Sequence, residues 1–135
     1  MSHRELLAQY LEETRDKEFD FPTFNCGLFA ADWVQRATGI DYGFRLRGQS
    51  HTDAYRTVAS YGSMEAMITA LLQREPIAPA FAKRGDIVLA TLDTDEGKAR
   101  DTVGICEMAK CFFPKHPRGL LGLPRSVARL AWSID

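Results

Sequence analysis

The stretch FPTFNCGLFAADWVQRATG, Phe21 to Gly39, sets an Asn-Cys pair in front of an amphipathic helix. Asn25, after Pro22, is a residue type that caps the free N–H groups of a first helical turn, and Gly39 supplies a stop after Ala37. Between those limits Phe29, Trp33 and Ala37 recur at i, i+4 and i+8 on one apolar face, and Cys26 begins the same stripe. The spacing predicts a core helix over 25–37 with a thiol in its first turn. Unpaired backbone N–H groups and the helix dipole favour a thiolate there, lowering the pKa from about 8.5, which makes Cys26 a candidate nucleophile. A buried thiol packed as a small hydrophobe gives the same pattern.

Outward from that helix, Ser2 with Glu5 forms a capping-box pattern, and Leu6, Leu7, Tyr10 and Leu11 fall at helical spacing, which predicts a surface helix over 2–17. Loop chemistry from Gly43 to Ser50 precedes a helical pattern over 52–60 ended by Gly62, and Ser63 caps a further helix through Met64, Met67, Ile68, Leu71 and Leu72. EPIAPAFAKRGD is a proline-interrupted connection, in which Asp86 caps the turn into a strand. From Asp86 onward, DIVLATL, TVGICEM, KCFFP, GLLGLP and ARLAWSI read as four or five short antiparallel strands between turn residues. Trp132 alternates with Leu130 and Ile134 as one face of the last strand. Helices first and strands second predict an α+β fold with the helices packed on a small antiparallel sheet.

A length of 135 residues suits one domain, 1–135, and hydrophobic and charged fractions of 45% and 26% are those of a globular chain. A formal net charge of -1 lacks the basic balance of a nucleic-acid binder. The cluster Lys110, Lys115, Arg118, Arg125 and Arg129 reads as a solvated face. No stretch approaches the roughly 18 apolar residues of a membrane span. Ser2 to Arg15 is polar rather than basic-then-apolar, so no signal peptide is expected, and an odd number of cysteines argues against a disulfide framework. The compartment expected is intracellular, or a particle assembled there. Cys106 and Cys111, across a hairpin around Ala109-Lys110, lack a second pair to complete a zinc site and read as small buried hydrophobes.

The order of elements, with NCGLFAADWV, KRGDIVL and TVGICEM, resembles the papain-like NlpC-type cysteine peptidase superfamily. In those enzymes an Asp-Cys or Asn-Cys heads the core helix, a Pro-Gly-Asp turn opens the first strand, and a His-Val-Gly-Ile strand follows. The chain is more closely similar to a family of small proteins from tailed phages and prophages. That likeness is carried by Cys26, Phe29 to Trp33, Thr38 to Asp41, Arg47-Gly48, Gly85 to Val88, Val103 to Cys106 and Ala131-Trp132. It covers most of the chain from Phe21 onward, and the order of these short motifs carries it. The resemblance implies an NlpC-type papain-like domain located in the virion tail and assembled in the host cytoplasm. Its partners would be other tail-tip or tail-hub proteins, with peptidoglycan as the target of an active form, and no cofactor is implied.

Acyl transfer from a peptide requires a thiolate, an imidazole to move the proton, a group to orient that imidazole, and donors for the oxyanion. Cys26 meets the first requirement, and its own N–H is one candidate oxyanion donor. The superfamily's strand His falls on Thr102, whose hydroxyl cannot act as general base near neutral pH. The next strand, which brings the orienting residue in the superfamily, offers Phe112 or Phe113. His51, after the Arg47-Gly48 loop, and His116, in FPKHPRG, are the substitute bases, whereas His3 reads as an exposed helix residue. Asp101 is a candidate orienter or an exposed residue at a strand start. The RGQS loop around Gly48 is expected to flank a pocket near Cys26. A domain that has lost its base and serves as a structural or interaction part is the favoured expectation. An active peptidase or amidase with Cys26 as nucleophile is the alternative.

Overall fold

The computed structural model describes residues 2–93 and 97–135. Four helices come first, α1 (His3–Thr14), α2 (Cys26–Thr38), α3 (His51–Tyr61) and α4 (Met64–Leu72). Each starts on a side-chain cap: Ser2, Asn25 and Ser63, as expected, and Ser50, the last residue of the expected loop, accept the N–H groups of Glu5, Leu28, Ala66 and Asp53 respectively. Five strands follow, β1 (Ile87–Asp93), β2 (Ala99–Cys106), β3 (Lys110–Pro114), β4 (Leu120–Pro124) and β5 (Ala128–Trp132). They form one antiparallel sheet in the order β4-β3-β2-β1-β5. The α+β expectation holds, with five strands as the outcome.

Strand alternation divides the core. Ile87, Leu89, Val103, Ile105 and Trp132 point to the helices and pack with Leu7, Tyr10, Phe29, Trp33, Val34 and Ile68. Val88, Ala90, Cys106, Cys111, Phe113 and Ala131 point the other way, where Ile77 and Ala82 of the proline-interrupted connection cover them. Coverage on both faces explains why β1 begins as the continuous apolar run Ile-Val-Leu-Ala rather than as an alternation. In the basic cluster near the C-terminal end Lys110, Lys115, Arg118 and Arg129 are exposed, as expected of a solvated face, and Arg125 departs from it. Arg125 donates to the carbonyls of Pro79, Ala80 and Ala82, Arg118 pairs with Glu18, and Arg129 pairs with Asp101.

Asp86 caps the turn into β1 as expected, its Oδ2 accepting the Lys83 N–H at 2.8 Å. It is 1% exposed, and its Oδ1 makes no hydrogen bond among the described residues. Burial raises its pKa above the ordinary carboxylate value, against the weaker pull of the Lys83 and Ile134 backbone groups. A raised folded pKa gives stability that is fully present below the unfolded Asp value of about 3.9 and is lost as pH rises through the folded value. Asp86→Asn stays neutral throughout. Relative to the parent chain, the variant should therefore gain stability between about pH 4 and pH 7 in urea denaturation. An offset identical at both pH values contradicts this account of Asp86.

Candidate functional site

Asn25 ties the approach segment to the helix it caps. Its Oδ1 accepts the Leu28 N–H at 2.8 Å while its Nδ2 donates to the Phe21 carbonyl at 2.9 Å, and the residue is buried. Cys26 follows as the first residue of α2, half-buried, where the helix crosses β2. Backbone N–H groups of Val103, Gly27 and Cys26 itself act on the sulfur and favour thiolate, but burial outweighs them and pushes the thiol's pKa up. The helix-start argument predicts a lowered pKa, and the direction is reversed because desolvation is the larger effect.

The loop after α2 covers this first turn. A Cβ added at Gly27 would stand 2.8 Å from Leu46 Cδ1, and Gly48 donates its N–H to the Pro22 carbonyl at 2.7 Å. The RGQS loop thus runs beside the segment leading to Cys26. Adjacent to it lies a cavity of about 50 Å³, lined among others by Gly27, Ala30, Leu46, Met67 and Val103. An apolar space of that size falls well short of the roughly 300 Å³ at which ligand pockets begin and does not hold a peptide.

His51 and His116 come to the two sides of one aromatic row. His51 stacks on Phe21 with ring centroids 4.0 Å apart, Phe21 meets Phe19 edge-on at 5.1 Å, and Phe19 meets His116 at 5.6 Å. Tyr55 continues the row beyond His51 at 4.6 Å, and the Arg100 guanidinium lies 5.1 Å from the Tyr55 ring centroid. Both candidate bases therefore flank the segment that precedes Cys26. Neither imidazole is among the groups that act on its sulfur, all of which are backbone N–H groups. His3 sits in α1 with its Nδ1 3.7 Å from Asp135.

Thr102 precedes Val103, whose backbone N–H faces the sulfur. The Thr102 side chain shares the sheet face of its partner Ala90, opposite the helices, by strand alternation, and its hydroxyl donates to the Arg100 carbonyl at 3.2 Å. Asp101 is not at the strand start. It is the third residue of β2, half-buried, accepting the Thr91 hydroxyl at 3.0 Å and paired with Arg129 at 3.0 Å. Phe112 packs toward the helices and Phe113 is fully buried on the other face.

Sequence reasoning missed a charged clamp built from three of the short motifs. Arg47 Nη2 donates to Asp32 Oδ1 at 2.5 Å and to Asp41 Oδ1 at 2.9 Å, its Nε donates to Asp41 Oδ2 at 3.1 Å, and Asp41 also accepts the Gly43 N–H. The Arg47 guanidinium lowers the Asp41 pKa. This clamp fastens the covering loop to α2. The signal available in the sequence was an Asp on the polar side of α2 with an Asp and an Arg in the loop after it, but only the folded chain pairs them.

Among the described residues no group of three or more His, Cys, Asp or Glu is arranged to hold a metal ion, and no helix is long and apolar enough to cross a membrane. No curated protein and no solved structure matches the chain. A family model described as Domain of unknown function (DUF6950) matches residues 1–134, and the chain belongs to that family.

Proposed function

We propose that this protein is a structural or interaction component of a bacteriophage tail tip or tail hub, built on a degenerate NlpC-like, papain-like peptidase fold. The observation that carries the reading is the Cys26 thiol at the head of α2, with burial raising its pKa and no imidazole acting on it. A cysteine hydrolase needs the opposite arrangement, a thiolate with its base in hydrogen-bond reach. The aromatic row and the Arg47 clamp fit a domain kept for its surface and its rigidity.

A second reading is an active cysteine peptidase or amidase on peptidoglycan peptides, with His51, His116 or a partner's group as base. It is favoured by the backbone N–H groups around the Cys26 sulfur, a donor set that suits an oxyanion. Purified protein incubated with soluble peptidoglycan fragments separates the two. The proposal predicts no peptide-bond cleavage above buffer, and turnover abolished by Cys26→Ala would establish the second reading instead. Mass spectrometry of purified tails tests the location, since absence of the chain from the particle contradicts a virion role.

A further inference from the structure

We propose that Cys106 and Cys111 form a redox modification site, a buried dithiol that closes to a cross-strand disulfide by exchange with a small disulfide of the glutathione type. The two residues are direct partners in the β2–β3 hairpin, and both are fully buried against Val88, Ala90 and Phe113. The backbone of Cys106 faces away from β3: its N–H donates to the Asp86 carbonyl at 2.8 Å and its carbonyl accepts the Gly85 N–H at 2.7 Å. The next hairpin bond runs from the Glu107 N–H to the Lys110 carbonyl. Cys106 and Cys111 are therefore a non-hydrogen-bonded pair, the type in which facing Cα atoms approach to about 4.5 Å and side chains come closest. That separation lies inside the range of about 4.4–6.8 Å that a disulfide spans, so closure needs rotation of the side chains and no change of strand register.

The pair is also chemically unequal. A hydrogen bond from the Cys111 thiol, with help from the Met108 N–H and the Arg125 guanidinium, draws Cys106 toward thiolate against its burial, while that hydrogen bond and burial hold Cys111 protonated. Cys106 is the attacking sulfur. Its thiolate adds to one sulfur of the small disulfide, whose S–S bond breaks, and the first small thiol departs as a thiolate and takes up a proton. Cys111 then gives up its proton and attacks the Cys106 sulfur, and the second small thiol leaves. Two protein thiols become one disulfide while one small disulfide becomes two thiols.

Entry is through the hairpin end. Met108, Ala109 and Lys110 are exposed, and Met108 holds a φ of 106°, a conformation that non-glycine residues rarely adopt. The Glu107–Lys110 bond and Arg125, which donates to the Met108 and Ala109 carbonyls at 3.3 and 3.1 Å, hold this turn closed, so a small disulfide reaches the sulfurs when those bonds open. Cys26, across the sheet at the head of α2, stays outside the pair.

The test uses the reduced full-length protein and oxidised glutathione. After acid quenching, denaturation and alkylation, free thiols should fall from three to one, with Cys26 alkylated. Lys110 lies between the two cysteines, so trypsin separates them and only a disulfide keeps their peptides together until reduction. Cys111→Ala should stop at a single glutathione adduct on Cys106. Three alkylated thiols after exposure, stable glutathione adducts on both residues, or a linkage to Cys26 overturns the proposal. None of these readouts depends on whether the chain cuts peptidoglycan.

Discussion

Trp33→Ala should lower the unfolding free energy by about 3–5 kcal/mol, read as a fall in urea midpoint at unchanged slope. Trp33 is wholly buried at the centre of α2, between α1 and the sheet, and its ring borders that of Tyr10 at 6.1 Å. Truncation removes the transfer energy of an indole and leaves a cavity that the surrounding helices and strands fill only in part. It also removes a polar contact, because Trp33 Nε1 donates to the Gly85 carbonyl at 2.7 Å. Gly85 holds a φ of 92° in the turn that launches β1, and a Cβ there would stand 3.0 Å from the same indole. One side chain thus fixes both the helix and the strand entrance. Trp33→Phe separates the contributions: it keeps most of the apolar volume and strands the Gly85 carbonyl, at a cost of about 1–3 kcal/mol. A Trp33→Ala loss below about 1 kcal/mol contradicts the packing described.

Gly104→Ala should destabilise by about 3 kcal/mol, enough to lower the thermal midpoint by about 10 °C in a chain of this size. In the Val-Gly-Ile run of β2, an added Cβ at position 104 would stand 2.5 Å from the Phe112 carbonyl oxygen and 2.6 Å from the Phe113 ring. The first is backbone of the neighbouring strand, and the second is a fully buried ring, so neither yields cheaply. The substitution tests a geometric reason for glycine in that motif, where close approach of β3 and not chain flexibility requires it. The smaller pair Gly104→Ala with Phe113→Leu should recover part of the ring's share of the loss and none of the carbonyl's. Full stability in Gly104→Ala alone would mean that β2 and β3 lie farther apart than described.

Local chemistry made the scaffold legible before any contact was known. Ser2, Asn25 and Ser63 cap helices where short-range rules put them, Gly39 ends α2 at a φ of 84°, and all five runs of β-formers became strands. Those features depend on residues within a turn of each other, which a sequence displays directly. The site was less legible because its properties are sums over distant segments. Helix position alone argues for an acidic Cys26 thiol, whereas packing against the core between α2 and β2 buries it and reverses the direction. Spacing gives no sign that Phe19 and Phe21 would engage the imidazoles of His116 and His51. Asp101 read as an exposed strand start because strand boundaries are uncertain by a few residues, and its partner Arg129 lies on β5. Asp32, Asp41 and Arg47 are separated by one helix end and one loop, a span over which only the fold brings charges together.

The most direct test of a packed, non-nucleophilic Cys26 is its alkylation rate in the native protein as a function of pH. Iodoacetamide labelling resolved by peptide mapping, from roughly pH 6 to pH 10, isolates this residue from the two buried thiols. The account predicts slow labelling at neutral pH and a rate still climbing above the ordinary thiol value of about 8.5. Fast labelling already at its plateau near pH 6, the mark of a thiolate paired with a protonated imidazole, would contradict it.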